Sequence, residues 1–389
     1  MRIEKIFIKN IGPFGEKEII FRDDWTGEIS PRILFSGPNG CGKTTVLNCI
    51  SGLWKALGYW LYEKKELPKN DPIKKYIGPT GHCAMIIDGI PDFADLKSSK
   101  TRKALIFISN DPPVITSFFS EIHKKNKESL LVGEFLADKK HYRLLPSFSS
   151  AFTEKEGGME KANLSFLFEG DRLDENKERF FINWAEEYKN LILSGKDAKT
   201  PNMIYLDAEE RRWVKAEKSI GKAVQEDMSK RWCYKYEASI NWNSQLEASL
   251  ITLKTTSLHK FHEIIRLLNT FLVGKEIKPD IYAGENRLRV TIKNKRNTWH
   301  TFDQLSAGER EMLVMIYSIG RWMEKGGIVL LDEPDIYLHP GIMPDTFSAI
   351  EKLVEQKEGQ LIVTSHFPGM WERYENRAMR IKLDNGSPK

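Results

Sequence analysis

The segment Gly37-Pro-Asn-Gly-Cys-Gly-Lys-Thr44 constrains this chain more than any other, because it fits the pattern GxxxxGK[ST] in full. It follows the apolar run Arg32-Ile-Leu-Phe-Ser36 and precedes VLNCISGLWKALGYWLYEKK, where apolar residues recur at helical spacing. Strand, glycine loop and helix therefore come in order. Gly37, Gly40 and Gly42 let backbone amides curl around phosphate oxygens without Cβ clashes, and the helix N-terminus adds partial positive charge. In such a loop Lys43 reaches the β- and γ-phosphates and Thr44 ligates Mg²⁺, with Pro38, Asn39, Cys41 and Thr45 completing the cradle. The expected cofactors are ATP and Mg²⁺.

Far downstream, Ile328-Val-Leu-Leu-Asp-Glu-Pro334 reads as an apolar strand ending in two acids. A buried strand with Asp332 at its tip can hold the water shell of Mg²⁺, while Glu333 can polarise the water that attacks the γ-phosphate. Strands often end in acidic turns, so this run gains its meaning from the phosphate loop it is paired with. His366 follows LIVTS at the end of the next apolar run; a structural His is the plain reading, and a γ-phosphate sensor is the reading that the motif order favours. Asp335 stands just after Glu333, where a turn would expose it at a subunit boundary. Gln304-Leu-Ser-Ala-Gly-Glu-Arg-Glu311 has the Ser306/Glu309 spacing of a capping box before the apolar run MLVMIY, and can equally be a phosphate-binding turn.

With 41% hydrophobic residues in 389, the chain can bury a core in two or three domain-sized units. No window approaches the ~18 consecutive apolar residues of a membrane span, and MRIEKIFIKN lacks the apolar core of a signal peptide, so no membrane and a cytoplasmic location are expected. Cys41, Cys49, Cys83 and Cys233 have neither disulfide-framework nor metal spacing and are read as reduced thiols. A formal charge of +5 permits DNA binding without arguing for it. The clusters KKNK at 124–127 and KKHYR at 139–143 are read as solvated faces.

Along the chain, RIEKIFIKN, the turn IGPFGEK and EIIF form a hairpin, and strands are expected at 83–88, 104–109 and 203–207. A polar stretch fills 147–163, residues 208–272 read as mostly helical, and RLRVTIK pairs with TWHTF as a second hairpin. Helices are expected at about 307–324 and 345–357, and QLIVTSHFP ends a further strand. Phe14 and Trp25 are read as packing residues, with stacking on an adenine base as the alternative. Arg211 and Arg212 are read as a solvated helix start, with reach to a phosphate or a partner as the alternative.

The ordered set GPNGCGKTT, LSAGERE, IVLLDEPDIYLHP and IVTSHFP resembles the ABC-type ATPase head shared by SMC, Rad and RecF proteins and by ATPases of phage-defence systems of the OLD, Septu and PARIS kind. The resemblance covers about residues 1–65 and 280–380. It implies an α/β fold: a P-loop NTPase head of the ABC/SMC-like type with a mixed sheet and an inserted, mainly helical middle region. The divisions expected are 1–66 (lobe with the phosphate loop), 67–279 (insertion) and 280–389 (second lobe). In such heads two subunits sandwich two nucleotides. Carried over by position, Ser306, Ala307, Gly308 and Glu309 form the signature turn, with Ser306 and Gly308 donating to the γ-phosphate held by the other subunit. Asp332 serves Mg²⁺, Glu333 is the general base, His366 the switch histidine and Asp335 the D-loop residue. Two features depart from the pattern: Ala307 stands for the commoner Gly and Glu309 for the transporter-type Gln, and no glutamine precedes Gln225, which leaves the Q-loop without a candidate.

The resemblance implies an ATP hydrolase that works as a homodimer or higher homo-oligomer and hands its state to a separate effector, a nuclease or toxin, in anti-phage defence. With 23 residues after His366 and no HNH constellation, destructive chemistry is expected on a partner chain; Asp280, Glu285 and Arg287 lack the lysine and the spacing of a nuclease site. A RecF-like DNA-binding repair ATPase is the alternative. A transporter's energising subunit ranks last, because it needs a Q-loop and a membrane partner.

Overall fold

The computed structural model describes residues 1–95, 99–125, 129–136, 175–193, 198–215, 223–239, 241–282, 285–295, 297–339, 341–375 and 377–384. The polar stretch 147–163 and the basic cluster 139–143 lie outside them. Alternating RIEKIFIKN forms β1 (Arg2–Ile11), and Gly12 at φ +57° turns it back as β2 (Phe14–Ile20), the expected hairpin. β3 (Arg32–Ser36) leads through the glycine loop into α1 (Lys43–Glu63). After α2 (Pro72–Ile77) come β4 (His82–Pro91), β5 (Thr101–Ser109), α3 (Pro112–Lys125) and β6 (Leu130–Phe135). These strands complete a five-stranded sheet, β2-β1-β4-β5-β6, antiparallel except for the last pair. This is the mixed sheet.

α4 (Glu175–Leu193) precedes β7 (Met203–Leu206) and β8 (Cys233–Lys235), then α5 (Leu246–Thr256) and α6 (Leu258–Asn269). β9 (Lys275–Ile277), β10 (Val290–Ile292) and β11 (Trp299–His300) make a small antiparallel sheet that includes the second expected hairpin. The chain ends as α7 (Ala307–Trp322), β12 (Ile328–Leu331), α8 (Met343–Gln356), β13 (Gln360–Ser365), α9 (Pro368–Tyr374) and β14 (Met379–Lys382). A six-stranded, wholly parallel sheet, β14-β3-β13-β12-β7-β8, unites strands from all parts of the sequence.

The central parallel strands β3, β13, β12 and β7 are apolar on both faces because both faces are covered. Ile328 and Leu330 of β12 enter one core with α1, α4 and the inner face of the five-stranded sheet; Val329 and Leu331 enter the other with α5, α6, α7 and α8. A third, smaller core seats α3 on the outer face of the five-stranded sheet through Phe107, Ile115 and Phe119. Gln360, fully buried, bridges the sheets: its Oε1 accepts from Ile3 N at 2.7 Å, and its Nε2 donates to Ile3 O and Ser30 O.

Residues 208–272 are less helical than their sequence suggests. Among the described residues of this span the α-helices are α5 and α6, with two short 3-10 turns before them, while Cys233-Tyr-Lys235 adds an edge strand in parallel register with Met203-Ile-Tyr205. Tertiary packing accounts for this. Trp232, just before β8, stacks on Trp54 of α1 with centroids 4.3 Å apart and planes 7° apart. Each indole donates to the other residue's carbonyl, at 2.8 and 2.7 Å. A Cβ at Gly58 would lie 2.5 Å from Trp232 Nε1, so glycine is what allows α1 to approach. We predict that Trp232→Ala lowers unfolding stability by about 3–5 kcal/mol, read by denaturant titration, since it removes the stack and leaves the Trp54 interface hollow.

Candidate phosphate-binding and catalytic site

The site forms along the carboxyl edge of the parallel sheet, where β3, β13, β12 and β7 all end. Gly37 (φ +151°) and Gly42 (φ +97°) have conformations and surroundings that only glycine meets: a Cβ at Gly37 would lie 2.1 Å from Leu383 O, and one at Gly42 2.4 Å from the Phe14 ring. Phe14 is thus a packing residue beneath the loop. Pro38, Asn39 and Gly40 form its exposed rim, Cys41 is buried below it, and Thr45 is half-buried behind the first turn of α1. The N-cap of α1 is Gly42, with no side-chain acceptor and no acid in the first turn, so the positive end of a 21-residue helix is open toward the loop.

Lys43, 4% exposed, turns its ammonium into the loop, donating to Gly37 O at 3.1 Å and Pro38 O at 3.0 Å. It also lies 3.4 Å from His366 Nδ1. On its other side His366 Nε2 is 2.5 Å from Glu333 Oε1. The tautomer with its proton on Nε2 satisfies both contacts, accepting from Lys43 and donating to Glu333. His366 and Glu333 keep 30% and 24% of their side-chain exposure, so both remain open to a reacting molecule.

Asp332 is buried. It accepts from Thr44 Oγ1 at 2.9 Å and from Thr364 Oγ1 at 2.6 Å. Burial pushes its carboxyl up; the two hydroxyls oppose this, and the charges of Glu333 and Asp207 add to the rise. Asp207 directly follows β7 as Asp332 directly follows β12, and it accepts from Tyr205 Oη at 3.1 Å. This chemistry suits Mg²⁺: a hard hydroxyl and a desolvated carboxylate whose repulsion with neighbouring acids a divalent cation offsets. Thr44 and Asp332 are the residues that would hold it, and when bound it would neutralise charge developing on phosphate oxygens.

Glu333 sits at φ +42°, an uncommon conformation for a non-glycine residue. Its N–H donates to Thr364 Oγ1 at 2.9 Å. Its carbonyl, with those of Leu206 and Asp332, accepts from Arg211, at 3.1, 3.0 and 3.0 Å in turn. Arg211 is fully buried and ion-paired through Nε with Glu311 of α7. Burial pushes the Glu311 carboxyl up, and Arg211 opposes that. The solvated helix start expected at Arg211 is therefore corrected: the residue is an internal clamp, while its neighbour Arg212 is exposed.

Asp335 is half-buried instead of exposed. Its Oδ1 has no hydrogen-bond partner among the described residues, and burial pushes its carboxyl up against a hydrogen bond with Ser365. Trp25 is corrected as well. It is 97% exposed on a turn closed by Asp23, whose carboxylate accepts from Trp25 N and Thr26 N. That turn enters β3 at the end remote from the glycine loop, so Trp25 is neither a packing residue nor beside the phosphate site.

At the start of α7 both halves of the capping box are present: Ser306 Oγ accepts from Glu309 N at 3.2 Å, and Glu309 Oε2 accepts from Ser306 N at 2.9 Å. Lys275 donates to both Glu309 oxygens at 2.7 Å. Burial raises the Glu309 carboxyl, but the hydrogen bonds from Lys275 and Ser306 outweigh it and hold the group below its usual range. Ser306 and Ala307 are exposed, whereas Gly308 is buried, where a Cβ would meet Tyr337 O at 2.9 Å. The Ser306–Glu309 turn is thereby packed against the segment that follows Asp335.

Thr364, Asp207 and Glu311 have no role in the sequence reading, and Arg211 has one only as a solvated helix start. Asp207 had a usable signal, since MIYLD ends in an acid as IVLLD does. The Arg211–Glu311 pair has none, its members standing 100 positions apart.

A model of the family described as "AAA domain, putative AbiEii toxin, Type IV TA system" matches residues 34–369. Two curated relatives are similar over shorter stretches. "Probable ABC transporter ATP-binding protein p29" of Mesomycoplasma hyorhinis is 26% identical over 36% of this chain and 58% of its own length. "Retron Ec83 probable ATPase" of Escherichia coli is 32% identical over 24% of this chain and 19% of its own length. The chain thus spans less than two thirds of either relative. Among solved structures, "SMC head domain from Thermotoga maritima" is 12% identical with a TM-score of 0.36, covering 96% of this chain and 92% of that one. "Crystal structure of the SmcHead bound to the C-winged helix domain of ScpA" is 13% identical with a TM-score of 0.43, covering 99% and 96%. No helix among the described residues is long and apolar enough to cross a membrane.

Lys43→Ala is expected to weaken ATP binding by roughly 100-fold or more, because it deletes charge-assisted hydrogen bonds to phosphate of about 1.5–3 kcal/mol each. Titration with a fluorescent nucleotide checks this, with thermal unfolding as the control for fold.

Proposed function

The chain belongs to this AAA domain family of P-loop ATPases, and from that membership we propose that it is a Mg²⁺-dependent ATP hydrolase whose active form is a nucleotide-sandwich dimer acting as a switch for a separate effector. The observation that carries the hydrolase reading is the chain of contacts from Lys43 through His366 to Glu333, beside the Thr44–Asp332 pair. Lys43 and the amides at the start of α1 bind and orient the triphosphate. Glu333, partly exposed and fixed by His366, takes the proton of the attacking water. His366 holds Glu333 by donating from Nε2, and its contact with Lys43 makes that hold responsive to the phosphate Lys43 engages.

The dimer reading rests on α7. Its N-terminus is exposed at Ser306 and Ala307, and the capping box pre-forms its first turn. A γ-phosphate presented by a second subunit would meet the Ser306 hydroxyl and the positive end of the helix dipole. Support for an effector setting comes from the toxin and toxin–antitoxin wording of the family description and from the similarity to a retron ATPase. In this setting the effector is a nuclease or toxin and the process is anti-phage defence.

Glu333→Gln is expected to bind ATP as the wild type does, to lose hydrolysis by about 10²–10⁴-fold, and to accumulate as an ATP-bound dimer. Turnover assays and light scattering test this; wild-type turnover by Glu333→Gln rejects Glu333 as the base. Ser306→Arg should leave a folded chain that binds ATP but neither dimerises nor hydrolyses it. A fully active Ser306→Arg protein sinks the trans-signature reading.

A further inference from the structure

The buried Arg211 has no part in nucleotide contact, yet it touches three features of the site. Its Nη1 donates to the carbonyls at the ends of β7 and just beyond β12, Leu206 O and Asp332 O, both at 3.0 Å. Its Nη2 donates to Glu333 O at 3.1 Å, on the residue whose backbone is held at φ +42°. Its Nε pairs with Glu311, which lies in α7 five residues beyond the Ser306 cap. A single planar guanidinium is therefore shared between the helix that carries the signature turn and the backbone of the acid beside the phosphate loop. We propose that Arg211 is a positioning residue through which α7 fixes the backbone of Glu333, so that the state of the signature turn reaches the base of the same subunit.

The physical case has two parts. Only a guanidinium presents a fork of donors with fixed geometry, so it can satisfy several carbonyls and a carboxylate at once; an ammonium in the same place cannot. The second part is rigidity. A left-handed backbone at a non-glycine residue persists only where its surroundings over-determine it, and the two polar backbone atoms of Glu333 are both held, N–H by Thr364 and C=O by Arg211. The ion pair ties this arrangement to α7, since breaking it would strand a buried charge on either side. Arg211 touches no reacting atom, and its effect is on where the Glu333 carboxylate stands.

The inference rests on Glu333 being the base, and the test separates the two. ATP affinity, kcat and melting temperature are measured for Arg211→Lys and for the paired change Arg211→Met with Glu311→Leu, which removes both charges together. Both should bind ATP within about threefold of wild type while kcat falls tenfold or more. Arg211→Lys added to Glu333→Gln should cause no further loss, because residues acting as one unit are non-additive. Wild-type kcat in Arg211→Lys overturns the proposal, as does a loss of ATP affinity equal to the loss of kcat, or a further tenfold loss on the Glu333→Gln background. If the paired change does not fold, Arg211→Lys, which keeps the buried positive charge, carries the decision. Wild-type turnover by Glu333→Gln alone would instead remove the base reading itself.

Discussion

One desolvated carboxylate organises the site. Asp332 is removed from water at the tip of β12, and a buried carboxylate is tolerable only if its lone pairs are occupied. They are met by Thr44 from the first turn of α1 and Thr364 from β13, so a single group ties the phosphate loop to two neighbouring strands. Thr364 also receives the N–H of Glu333, which extends the same network to the adjacent acid. Moving any of these elements would leave a buried polar atom without a partner.

Around that centre the fold places its functional residues by topology. The strands of the large sheet are parallel, so their carboxyl ends share one edge, and residues from positions 37–44, 207, 332–335 and 366 meet there. Both faces of its central strands are covered, which is why β3, β13, β12 and β7 divide their side chains between two cores. The Trp54–Trp232 stack and the Gln360 bridge then lock α1 and the five-stranded sheet in place behind the loop. The rigidity of the scaffold is what lets short-range contacts such as His366 to Glu333 have fixed geometry.

Much of this was legible in the sequence, and what was not has a common cause. The glycine loop, the apolar run before Asp332 and the capping box at Ser306 are local patterns: each depends on residues within a few positions, and local sterics and hydrogen bonding decide it. Arg211 and Trp25 were misread because their burial depends on what the rest of the chain places around them. Arginine after two glutamates looks solvated until Glu311, 100 residues on, and three strand-end carbonyls close over it. Tryptophan looks like core until an Asp23-closed turn presents it to water. The edge strand at Cys233 likewise takes its form from Met203 and from Trp54, not from its own three residues.

The sequence by itself determined that this chain makes a phosphate loop between a strand and a helix, and that an apolar strand carries two acids downstream, since both are set by side-chain period and glycine placement. Only the tertiary structure decided how those acids are held. A carboxylate's burial, the tautomer a histidine needs between a lysine and a glutamate, and the pairing of Arg211 with Glu311 are properties of distances between segments far apart in the chain. No local pattern encodes them, because each arises from the parallel register that brings separate strand ends to one edge.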